Sequence, residues 1–420
     1  MNLSAWLQYL EALPSGLNNK SIADVKNVAQ KLGLLSFSGK IITVGGTNGK
    51  GSCVAFLEAI LLVAGYKIGA YVSPHVLRYN ERIRLNGKDI DDEVLCKVFA
   101  QIKDACAGAI LSYFEFTTLA ALAVFKKQDL DVLILEVGIG GRFDAVNIVD
   151  ADIAVISTIS LDHTKILGAT REAIGYEKAG IMRPFKPVVC GDSNIPASVY
   201  TVAREVEAVL YSINKDFIYS ELNGEWNWQS TENVIKKLPL PQLSIADAAV
   251  ALMVVQLLQK DLKISKDAIV TGLKKAYLIG RWQRVMVANK EIMFDVAHNM
   301  ESAALLARNL SKYPSQGRIL AVMSMLGDKD IVATLQELTK IVDKWYVGVL
   351  ADTRAASAEL LRECLLKAGG NGYVLFPTVT KALQQAIAEY QGKDRIVVFG
   401  SFHTVAEGLG QLNLLYNSGG

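Results

Sequence analysis

The chain has little of what marks secreted, membrane-embedded or disulfide-stabilised proteins. Its 420 residues include only five cysteines, an odd number that is widely scattered. That spacing gives no disulfide framework or zinc site, so we expect free thiols in a reducing compartment. The sequence has no run of about 18 apolar residues, and its first residues lack the basic segment and apolar core of a signal peptide. These absences predict a cytoplasmic protein.

An excess of charge of either sign is also missing. The 44 Lys and Arg residues are balanced by 42 Asp and Glu residues, for a net charge of +2. Such a balance gives no broad electrostatic footprint for nucleic acid or an anionic membrane, so we expect small-molecule partners. A chain of 420 residues exceeds what one hydrophobic core usually serves, and two domains are expected.

Strand-length apolar runs alternate with helical patterns from residue 40 onward, which predicts an α/β fold with crossover helices. The predicted strands of the first series are 41–45, 67–72, 131–137, 153–157 and 186–190, and its helices include 53–64, 91–106, 116–127, 170–179, 245–259 and 266–275. This series predicts a mostly parallel sheet of the phosphate-loop type within a first domain, residues 1–283. Two segments interrupt the pattern. Residues 81–87 end in an Asn-Gly turn signal that predicts a hairpin, and 211–243 predicts an antiparallel excursion or a loop.

A second alternating series begins at Glu291. It predicts a Rossmann-like α/β domain over residues 284–420. Its predicted strands are 291–295, 317–323, 343–349 and 395–399, with helices at 300–312, 330–340, 355–368 and 378–390. The domain boundary is expected near residues 280–288.

The most informative stretch is Val-Gly-Gly-Thr-Asn-Gly-Lys-Gly-Ser at 44–52, between a predicted strand and a predicted helix. Glycines there allow backbone N–H groups to surround phosphate oxygens at a helix N-terminus. Lys50 can bridge two phosphates, and the Ser52 hydroxyl can reach a magnesium ion. The standard pattern would have glycine where this chain has Val44. A Gly/Asn-rich turn with an accidental lysine is the competing interpretation, but the strand–loop–helix context favours phosphate.

A second candidate group is Glu136, which ends a buried strand and precedes a glycine turn. Beside a phosphate loop, a carboxylate at the C-terminal end of a parallel strand can hold the magnesium ion of a bound nucleotide. A salt-bridged strand-end glutamate is the alternative. The glycines at 138, 140 and 141 could also suggest a dinucleotide fingerprint, but the third glycine is misplaced for that motif.

The chain has four histidines: His75, His163, His298 and His403. His75 and His163 follow predicted strands, so both should lie towards the face that Glu136 occupies. They could complete a second metal site, although histidine is an unusual magnesium ligand and a structural role remains open. Lys178 lies near the end of a predicted helix, and the pattern alone favours a solvated lysine beside a helix C-terminus over a functional role.

Taken together, these segments resemble the folylpolyglutamate synthase/dihydrofolate synthase branch of the Mur ligase family, most closely its bacterial bifunctional members. The matching motifs extend over nearly the whole chain. They are Gly-Thr-Asn-Gly-Lys-Gly-Ser at 46–52, Ser-Pro-His-Val-Leu-Arg-Tyr-Asn-Glu-Arg at 73–82, Tyr-Phe-Glu-Phe-Thr at 113–117, Glu-Val-Gly-Ile-Gly-Gly-Arg-Phe-Asp-Ala at 136–145, Leu-Asp-His-Thr at 161–164, Glu-Lys-Ala-Gly-Ile at 177–181, Phe-Asp-Val-Ala-His-Asn at 294–299 and Phe-Gly-Ser-Phe-His at 399–403.

The resemblance implies a role for many individual residues. Lys50, Lys178 (carbamylated in the family) and His298 would be catalytic. The ATP-binding positions would be Thr47, Asn48, Gly49, Lys50, Gly51, Ser52, Asp247, Arg281 and Asp295, and the metal ligands Ser52, Ser73, Glu136 and His163. The pterin- and folate-binding positions would be Ser112, Tyr113, Phe114, Glu115, Phe143, Asp144 and Ala145, with Asp144 pairing with the donor edge of the pterin. His298 and Ser401 would hold the incoming glutamate.

The implied activity is ATP-dependent addition of L-glutamate to dihydropteroate and to reduced folates through an acyl phosphate. ATP is then a co-substrate, with two magnesium sites and a monovalent cation, and a monomer without nucleic-acid or membrane partners is expected. Two departures stand out: Asp247 replaces the adenine-contacting asparagine of the family, and Asn-Lys-Ser-Ile at 19–22 replaces a pterin-contacting Asp-Leu-Gly-Leu. An enzyme that only extends folates, a non-catalytic nucleotide-binding module and a muramyl ligase remain as alternatives.

Overall fold

The computed structural model describes residues 1–14 and 22–417, with side chains described up to residue 412 of the last helix. The chain divides into two compact units, Met1–Tyr277 and Leu278–Gly420. Both are α/β, as the sequence pattern predicts. Within the described ranges, none of the helices has the length and apolar character needed to cross a lipid bilayer.

The first unit contains an eight-stranded sheet, a three-stranded sheet and ten helices among its described residues. The strands are β1 (Lys40–Gly45), β2 (Ile68–Tyr71), β3 (Ile83–Leu85), β4 (Lys88–Asp89), β5 (Val132–Glu136), β6 (Ile153–Ile156), β7 (Pro187–Cys190), β8 (Val209–Ser212), β9 (Phe217–Leu222), β10 (Glu225–Ser230) and β11 (Val234–Pro239). The helices are α1 (Leu3–Glu11), α2 (Ala23–Lys31), α3 (Lys50–Val63), α4 (Asp92–Cys106), α5 (Tyr113–Lys126), α6 (Thr164–Leu167), α7 (Arg171–Ala179), α8 (Ala197–Glu205), α9 (Ile245–Leu258) and α10 (Lys266–Lys275).

The large sheet has the order β4-β3-β2-β5-β1-β6-β7-β8, with β1 between β5 and β6. Six of these strands run parallel, whereas β3 and β4 are antiparallel additions at one edge. The hairpin predicted from the Asn-Gly signal is confirmed, because Asn86 and Gly87 connect β3 to β4. The irregular segment after residue 211 contains the antiparallel sheet β9–β11, so the excursion is the correct one of its two interpretations.

Burial explains which helices the sequence pattern detects. In α4, Leu95, Val98, Phe99 and Ile102 recur at helical spacing and are buried on one face. Helix α3 is instead buried on almost every side, since it packs against the strands and also against α9 and α10. It begins three residues before the predicted helix, at Lys50, because the phosphate loop leads directly into it.

The second unit contains a six-stranded sheet with the order β12-β13-β17-β14-β15-β16. All of its strand pairs are parallel except β12 with β13. The strands are β12 (Gln283–Val287), β13 (Lys290–Asp295), β14 (Ile319–Met323), β15 (Lys344–Gly348), β16 (Tyr373–Phe376) and β17 (Arg395–Phe399), and the helices are α11 (Met300–Lys312), α12 (Ile331–Gln336), α13 (Ala358–Lys367), α14 (Val379–Glu389) and α15 (Phe402–Asn417). Both edge strands, β12 and β16, escaped prediction because they are only partly buried and lack a continuous apolar core pattern.

Candidate functional site

The stretch 45–50 forms a tight loop between β1 and α3, at the carboxyl end of the central strand. Gly46 and Gly49 have φ angles of 141° and 86°, a region that favours glycine. A Cβ atom at Gly46 would lie 1.9 Å from Ser157 Oγ, and one at Gly49 would lie 2.3 Å from Asp247 Oδ1. Both positions therefore need glycine for space as well as for backbone conformation. Lys50 Nζ donates to the carbonyl oxygens of Gly46 and Thr47 at 3.1 and 3.2 Å, which places the ammonium group over the loop.

A hydroxyl-rich segment after β6 supports this loop. Thr47 N–H donates to Thr158 O at 2.7 Å, and Asn48 N–H donates to Thr158 Oγ1 at 3.2 Å. The Ser157 hydroxyl donates to Asn48 O at 2.6 Å, while Ser160 N–H donates to Thr47 Oγ1 at 3.0 Å. The loop is therefore held in shape by its own unit. Sequence reasoning missed this support, although Ser-Thr-Ile-Ser directly after a buried strand is a signal that could have indicated it.

The same supporting segment is anchored from its other side by an ion pair. Asp192 accepts from Ile159 N–H at 2.7 Å and from Arg171 Nη2 at 2.8 Å. Arg171 Nε in turn donates to Ile159 O at 2.7 Å. Asp192 is buried, and such a charge-assisted arrangement is stronger than a surface pair. Asp192, in the loop after β7, and Arg171, at the start of α7, thus help to fix the segment that supports the phosphate loop.

Glu136 and the phosphate loop lie at the same end of the sheet, because Val44 of β1 is directly opposite Glu136 of β5. The Glu136 side chain is only 3% exposed and accepts a hydrogen bond from Ser73 N–H at 3.1 Å. The structure therefore brings Ser73 beside Glu136, as expected from their positions after β2 and β5. Ser52, in the first turn of α3, is also buried.

His163 lies at the start of α6 in a left-handed conformation with φ 50°. Its backbone N–H donates to Asp162 Oδ1 at 2.8 Å, and its ring nitrogen Nε2 lies 4.0 Å from Asp162 Oδ2. In the described part of the chain, no group of three or more His, Cys, Asp and Glu side chains is arranged to hold a metal ion. The donor set of Ser52, Ser73, Glu136 and His163 differs in kind, since hydroxyl and carboxylate oxygens dominate it, and hard oxygen donors suit Mg²⁺.

Lys178, in the last turn of α7, is buried with 3% exposure rather than solvated. Burial and, to a smaller extent, the positive charge of Lys50 lower the pKa of its ammonium group to about 7. The charges of Asp162 and Asp144 act in the opposite direction but more weakly. The solvated helix-end interpretation is therefore wrong. A lysine with this pKa is a neutral amine for a substantial fraction of the time near pH 7, and the neutral amine is the form that can react with carbon dioxide.

The two predicted pterin-binding stretches lie side by side. The ring of Phe114 lies against Gly138, where a Cβ atom would be 2.7 Å from the ring, and Gly138 N–H donates to Asp144 Oδ2 at 3.0 Å. Ser112 and Glu115 form a capping box at the start of α5. Phe143 is exposed, whereas Ala145 and Tyr113 are buried or partly buried.

Asp144 has a structural task that sequence reasoning did not anticipate. Its two carboxylate oxygens accept hydrogen bonds from the backbone N–H groups of Gly138, Ile139 and Val146, at 3.0, 3.1 and 3.0 Å. Burial nevertheless raises its pKa to about 6, although these three bonds act in the other direction. A carboxylate has about four lone-pair sites, so roughly one remains for an external donor.

Asp247 lies in the first turn of α9 and is largely buried. Its carboxylate packs against Gly49, and its backbone oxygen lies 3.8 Å from Cys53 Sγ at the start of α3. The structure therefore places this residue, the departure from the family's asparagine, directly against the phosphate loop.

In the second unit, the implied residues gather around the carboxyl ends of two adjacent strands, β13 and β17. Asp295 accepts from the N–H groups of Trp282 and Ala297, both at 2.9 Å. Burial raises the Asp295 pKa, and the positive charge of Arg281 partly offsets that effect. The Arg281 guanidinium lies over the ring of Phe402 at 5.2 Å, and the ring of His298 lies 6.3 Å from the same Phe402 ring.

The other candidate residues of this unit, His298 and Ser401, make close polar contacts with neighbouring groups. His298 Nδ1 lies 2.8 Å from Val296 O, and the Ser401 hydroxyl lies 2.7 Å from Thr404 Oγ1. Thr404 in turn donates to Ser324 O at 2.7 Å. His403 is a separate case, because its Nε2 lies 3.5 Å from Asp352 Oδ2. The histidine that follows the Ser401 motif is therefore engaged with the loop after β15.

A phosphate loop in a mostly parallel sheet, a strand-end glutamate and a separate α/β unit define a class of nucleotide-dependent ligases. Residues 44–246 match the Mur ligase middle domain, and residues 280–402 match the Mur ligase glutamate ligase domain. The chain belongs to the Mur ligase family, which confirms the resemblance drawn from the motifs.

Individual relatives narrow the branch within that family. A dihydrofolate synthase/folylpolyglutamate synthase of Escherichia coli is 43% identical over 404 residues, covering 96% of this chain and 94% of the relative. A structure of E. coli FolC in complex with DHPP and ADP has a TM-score of 0.94 at 42% identity, over 99% of each chain. A bifunctional folylpolyglutamate synthase/dihydrofolate synthase with Mn, AMPPNP and L-glutamate bound has a TM-score of 0.92 at 44% identity, over 98% of each chain.

Proposed function

We propose that this chain is an ATP-dependent amide ligase that adds L-glutamate to dihydropteroate, giving dihydrofolate, and to reduced folates, giving folylpolyglutamates. The observation that carries the proposal is the phosphate loop with Glu136 beside it at the same end of the sheet. The similarity to dihydrofolate synthase/folylpolyglutamate synthases along the whole chain supports the choice of substrates.

The reaction first converts a poor acyl donor into a good one. ATP phosphorylates the carboxylate of the acceptor, and the amine of L-glutamate then attacks the acyl phosphate and releases phosphate. Lys50 and the backbone N–H groups of the loop would stabilise the charge on the transferring phosphoryl group. Ser52, Ser73, Glu136 and His163 would hold magnesium, which supplies further neutralisation of phosphate charge.

Lys178 would take part as a carbamate. Its low pKa makes the neutral amine available near pH 7, and its low exposure separates the product from bulk water. Carbamylation turns a buried cation into an anion. The repulsion between Lys178 and Lys50 would then become an attraction, and the new carboxylate would support the metal site.

The acceptor would bind beside the turn that Asp144 organises. Asp144 has one acceptor site left for the pterin donor edge, and the Phe114 ring next to it offers an apolar wall. The other segment concerned, 19–22, falls almost entirely outside the described residues: only Ile22, next to α2, is described. Its contribution to pterin binding stays a prediction.

Residues of the second unit would take part in binding the nucleotide and L-glutamate. Arg281 and Asp295 would contact ATP, and His298 and Ser401 would hold L-glutamate. Arg281 belongs to the unit Leu278–Gly420, whereas the sequence pattern assigned it to a first domain of residues 1–283. The binding of a monovalent cation, a monomeric state and a cytoplasmic location belong to the same proposal. Five free cysteines support a reducing compartment, and light scattering of the purified protein would test the monomer.

The direct test is turnover with dihydropteroate and with tetrahydrofolate, side by side, in the presence of ATP and L-glutamate. We expect ADP release and a glutamylated product from both acceptors. Product from tetrahydrofolate alone would leave a monofunctional folylpolyglutamate synthase, which the substitution at 19–22 favours. Identifying the products by mass excludes simple ATP hydrolysis.

The non-catalytic alternative is tested by Glu136→Gln, which keeps the shape of the side chain and removes its charge. We expect ligation to fall strongly, while nucleotide binding without metal changes little. Nucleotide binding without ligation by the protein that keeps Glu136 would support the non-catalytic module, whereas an unchanged ligation rate in Glu136→Gln would remove Glu136 from the mechanism.

A further inference from the structure

One buried cation of the first unit is not explained by the roles assigned so far. Arg82 ends a short 3₁₀ turn, Tyr79–Arg82, and its side chain packs among aromatic residues with only 8% exposure. Its guanidinium lies over the rings of Tyr79 and Tyr113, at 5.5 and 5.4 Å from their centroids, and its Nε donates to His75 Nδ1 at 2.8 Å. Among the described residues, no carboxylate lies within ion-pair distance of Arg82, and its two terminal nitrogens donate to no side chain or backbone group.

The segment that carries Arg82 is firmly held. The Glu81 carboxylate accepts from the N–H groups of Val76, Leu77 and Arg78, at 2.7, 2.8 and 2.7 Å. Asn80 Nδ2 donates to Ile90 O at 2.6 Å. A pre-organised segment can hold a charged group in place without a partner, whereas a mobile one would let it turn to water.

A second polar group beside Arg82 has no partner either. The Tyr79 hydroxyl is buried and makes no hydrogen bond within the described part of the chain. The neighbouring Tyr71 differs, since its hydroxyl lies 3.0 Å from Thr117 Oγ1 and accepts from Thr118 Oγ1 at 3.3 Å. Burial raises the pKa of Tyr71, Tyr79 and Tyr113, and the Arg82 charge partly offsets the rise at all three. The Arg82 guanidinium is therefore close enough to all three tyrosines to influence their pKa values.

Leaving a buried charge without a counter-ion is costly, as is leaving a buried hydroxyl without a partner. A guanidinium with open terminal N–H groups beside a phenol hydroxyl is a donor set for a carboxylate. The position of the group points to the acceptor substrate. Tyr113 belongs to the folate-binding stretch, and His75 lies two residues beyond the candidate metal ligand Ser73.

We propose that Arg82, assisted by the Tyr79 hydroxyl, binds a carboxylate of the acceptor substrate. This inference rests on the proposed function, because it takes the acceptor to be a pteroate or folate. Arg82 would orient the acceptor between the aromatic wall and the Ser73 segment. No bond forms or breaks at Arg82, so it is a binding and positioning residue.

The test measures binding without turnover. The binding of dihydropteroate and of its carboxamide is compared in the absence of ATP, by calorimetry, for the unmodified protein and for Arg82→Gln. We expect the unmodified protein to prefer the carboxylate and Arg82→Gln to lose this preference, with about 10- to 100-fold weaker binding of dihydropteroate and little change for the carboxamide. Arg78→Gln is the matched control, because Arg78 lies on the same segment in an exposed ion pair with Asp92.

Two further variants keep the proposal testable if Arg82→Gln does not fold. Arg82→Lys retains the charge and should retain the preference for the carboxylate while weakening the binding, since the forked geometry is lost. Tyr79→Phe removes only the hydroxyl without a partner. It should weaken dihydropteroate binding several-fold without lowering the melting temperature.

The carboxylate that Arg82 binds is either the one that reacts or one that does not react. The binding of a tetrahydrofolate with one glutamate distinguishes these two cases. Weaker binding of both acceptors to Arg82→Gln assigns Arg82 to the reacting carboxylate of the pteroate and to its counterpart on the folate. An effect on the folate alone assigns Arg82 to the non-reacting carboxylate. An equal loss of carboxylate and carboxamide binding, or unchanged binding of both dihydropteroate and the folate, would overturn the inference and leave the proposed function standing. If the unmodified protein binds neither acceptor, both fail together.

Discussion

The two units treat their buried charges in opposite ways. In the second unit, Asp295 is matched by the nearby charge of Arg281 and by two backbone N–H groups. In the first unit, Lys178 and Arg82 are buried, and neither has a carboxylate within ion-pair distance among the described residues. These two cations of the first unit thus lack a direct ion pair, and the charges of Asp162 and Asp144 offset the effects of burial and of Lys50 on Lys178 only in part.

This difference indicates which unit receives the anionic chemistry. Buried cations without counter-ions lower the stability of a fold, so their presence suggests that an anion bound during function compensates them. Nucleotide phosphates, a carbamate and an acceptor carboxylate are three such anions. Substitutions of these charged residues show whether the cations without a direct ion pair are functional.

The largest effect is expected from Lys50→Met. This variant removes the ammonium group that lies over the phosphate loop and keeps most of the apolar stem. We expect kcat to fall by about 10²- to 10³-fold, because charge on the transferring phosphoryl group loses a preorganised donor. Steady-state kinetics measures it, with Lys67→Met as a control at an exposed ion pair. A comparable loss in the control would mean that the effect is not local.

Lys178→Ala should lower kcat by about 10- to 100-fold, the usual range for groups that support a metal site. The protein without a substitution should also lose activity as the pH falls through about 7. The sign follows from the lowered pKa: the amine is neutral above that pH and can be carbamylated, whereas below it the proton blocks the reaction. Added bicarbonate should restore part of the activity near pH 7 in the unmodified protein and none in Lys178→Ala. Equal responses in the two proteins would contradict a carbamate at this residue.

Ser401→Ala tests the second unit. If Ser401 holds L-glutamate as proposed, removing its hydroxyl should raise the KM for L-glutamate by about 10-fold, the loss of one hydrogen bond to a charged group. The affinities for ATP and for the acceptor should remain unchanged. Because Ser401 also contacts Thr404, a melting curve must show that the start of α15 is intact. Thr380→Ala, which removes a hydroxyl contact to Glu407 elsewhere in the unit, is a matched control.

Sequence reasoning reached the fold and the phosphate loop because each depends on local signals. Alternating apolar runs determined the parallel strands, and the glycine pattern between β1 and α3 indicated the loop. Features that depend on contacts between residues far apart in the chain could not be predicted in this way. The support of the loop by Ser157 and Thr158, more than 100 residues away in the chain, is one such feature.

Burial is the other quantity that a local pattern does not reveal. Lys178 follows a helix-end pattern typical of solvated lysines, yet tertiary packing buries it and changes its chemistry. Asp144 and Arg82 belong to recognisable motifs. The backbone hydrogen bonds of Asp144 become apparent only in the folded structure. The same holds for the lack of a counter-ion beside Arg82.

The smallest effect is expected from Asp247→Asn. The variant removes a negative charge packed against Gly49 of the phosphate loop, so nucleotide binding should tighten by about two- to fivefold. Charge and base recognition make different predictions here. If Asp247 acts through its charge, ATP and GTP should gain equally, because their phosphates are the same. If it contacts the base, only an amide can both donate to and accept from adenine, and ATP alone should gain. Its position against the loop favours equal gains, and a gain confined to ATP would place the adenine at this residue instead.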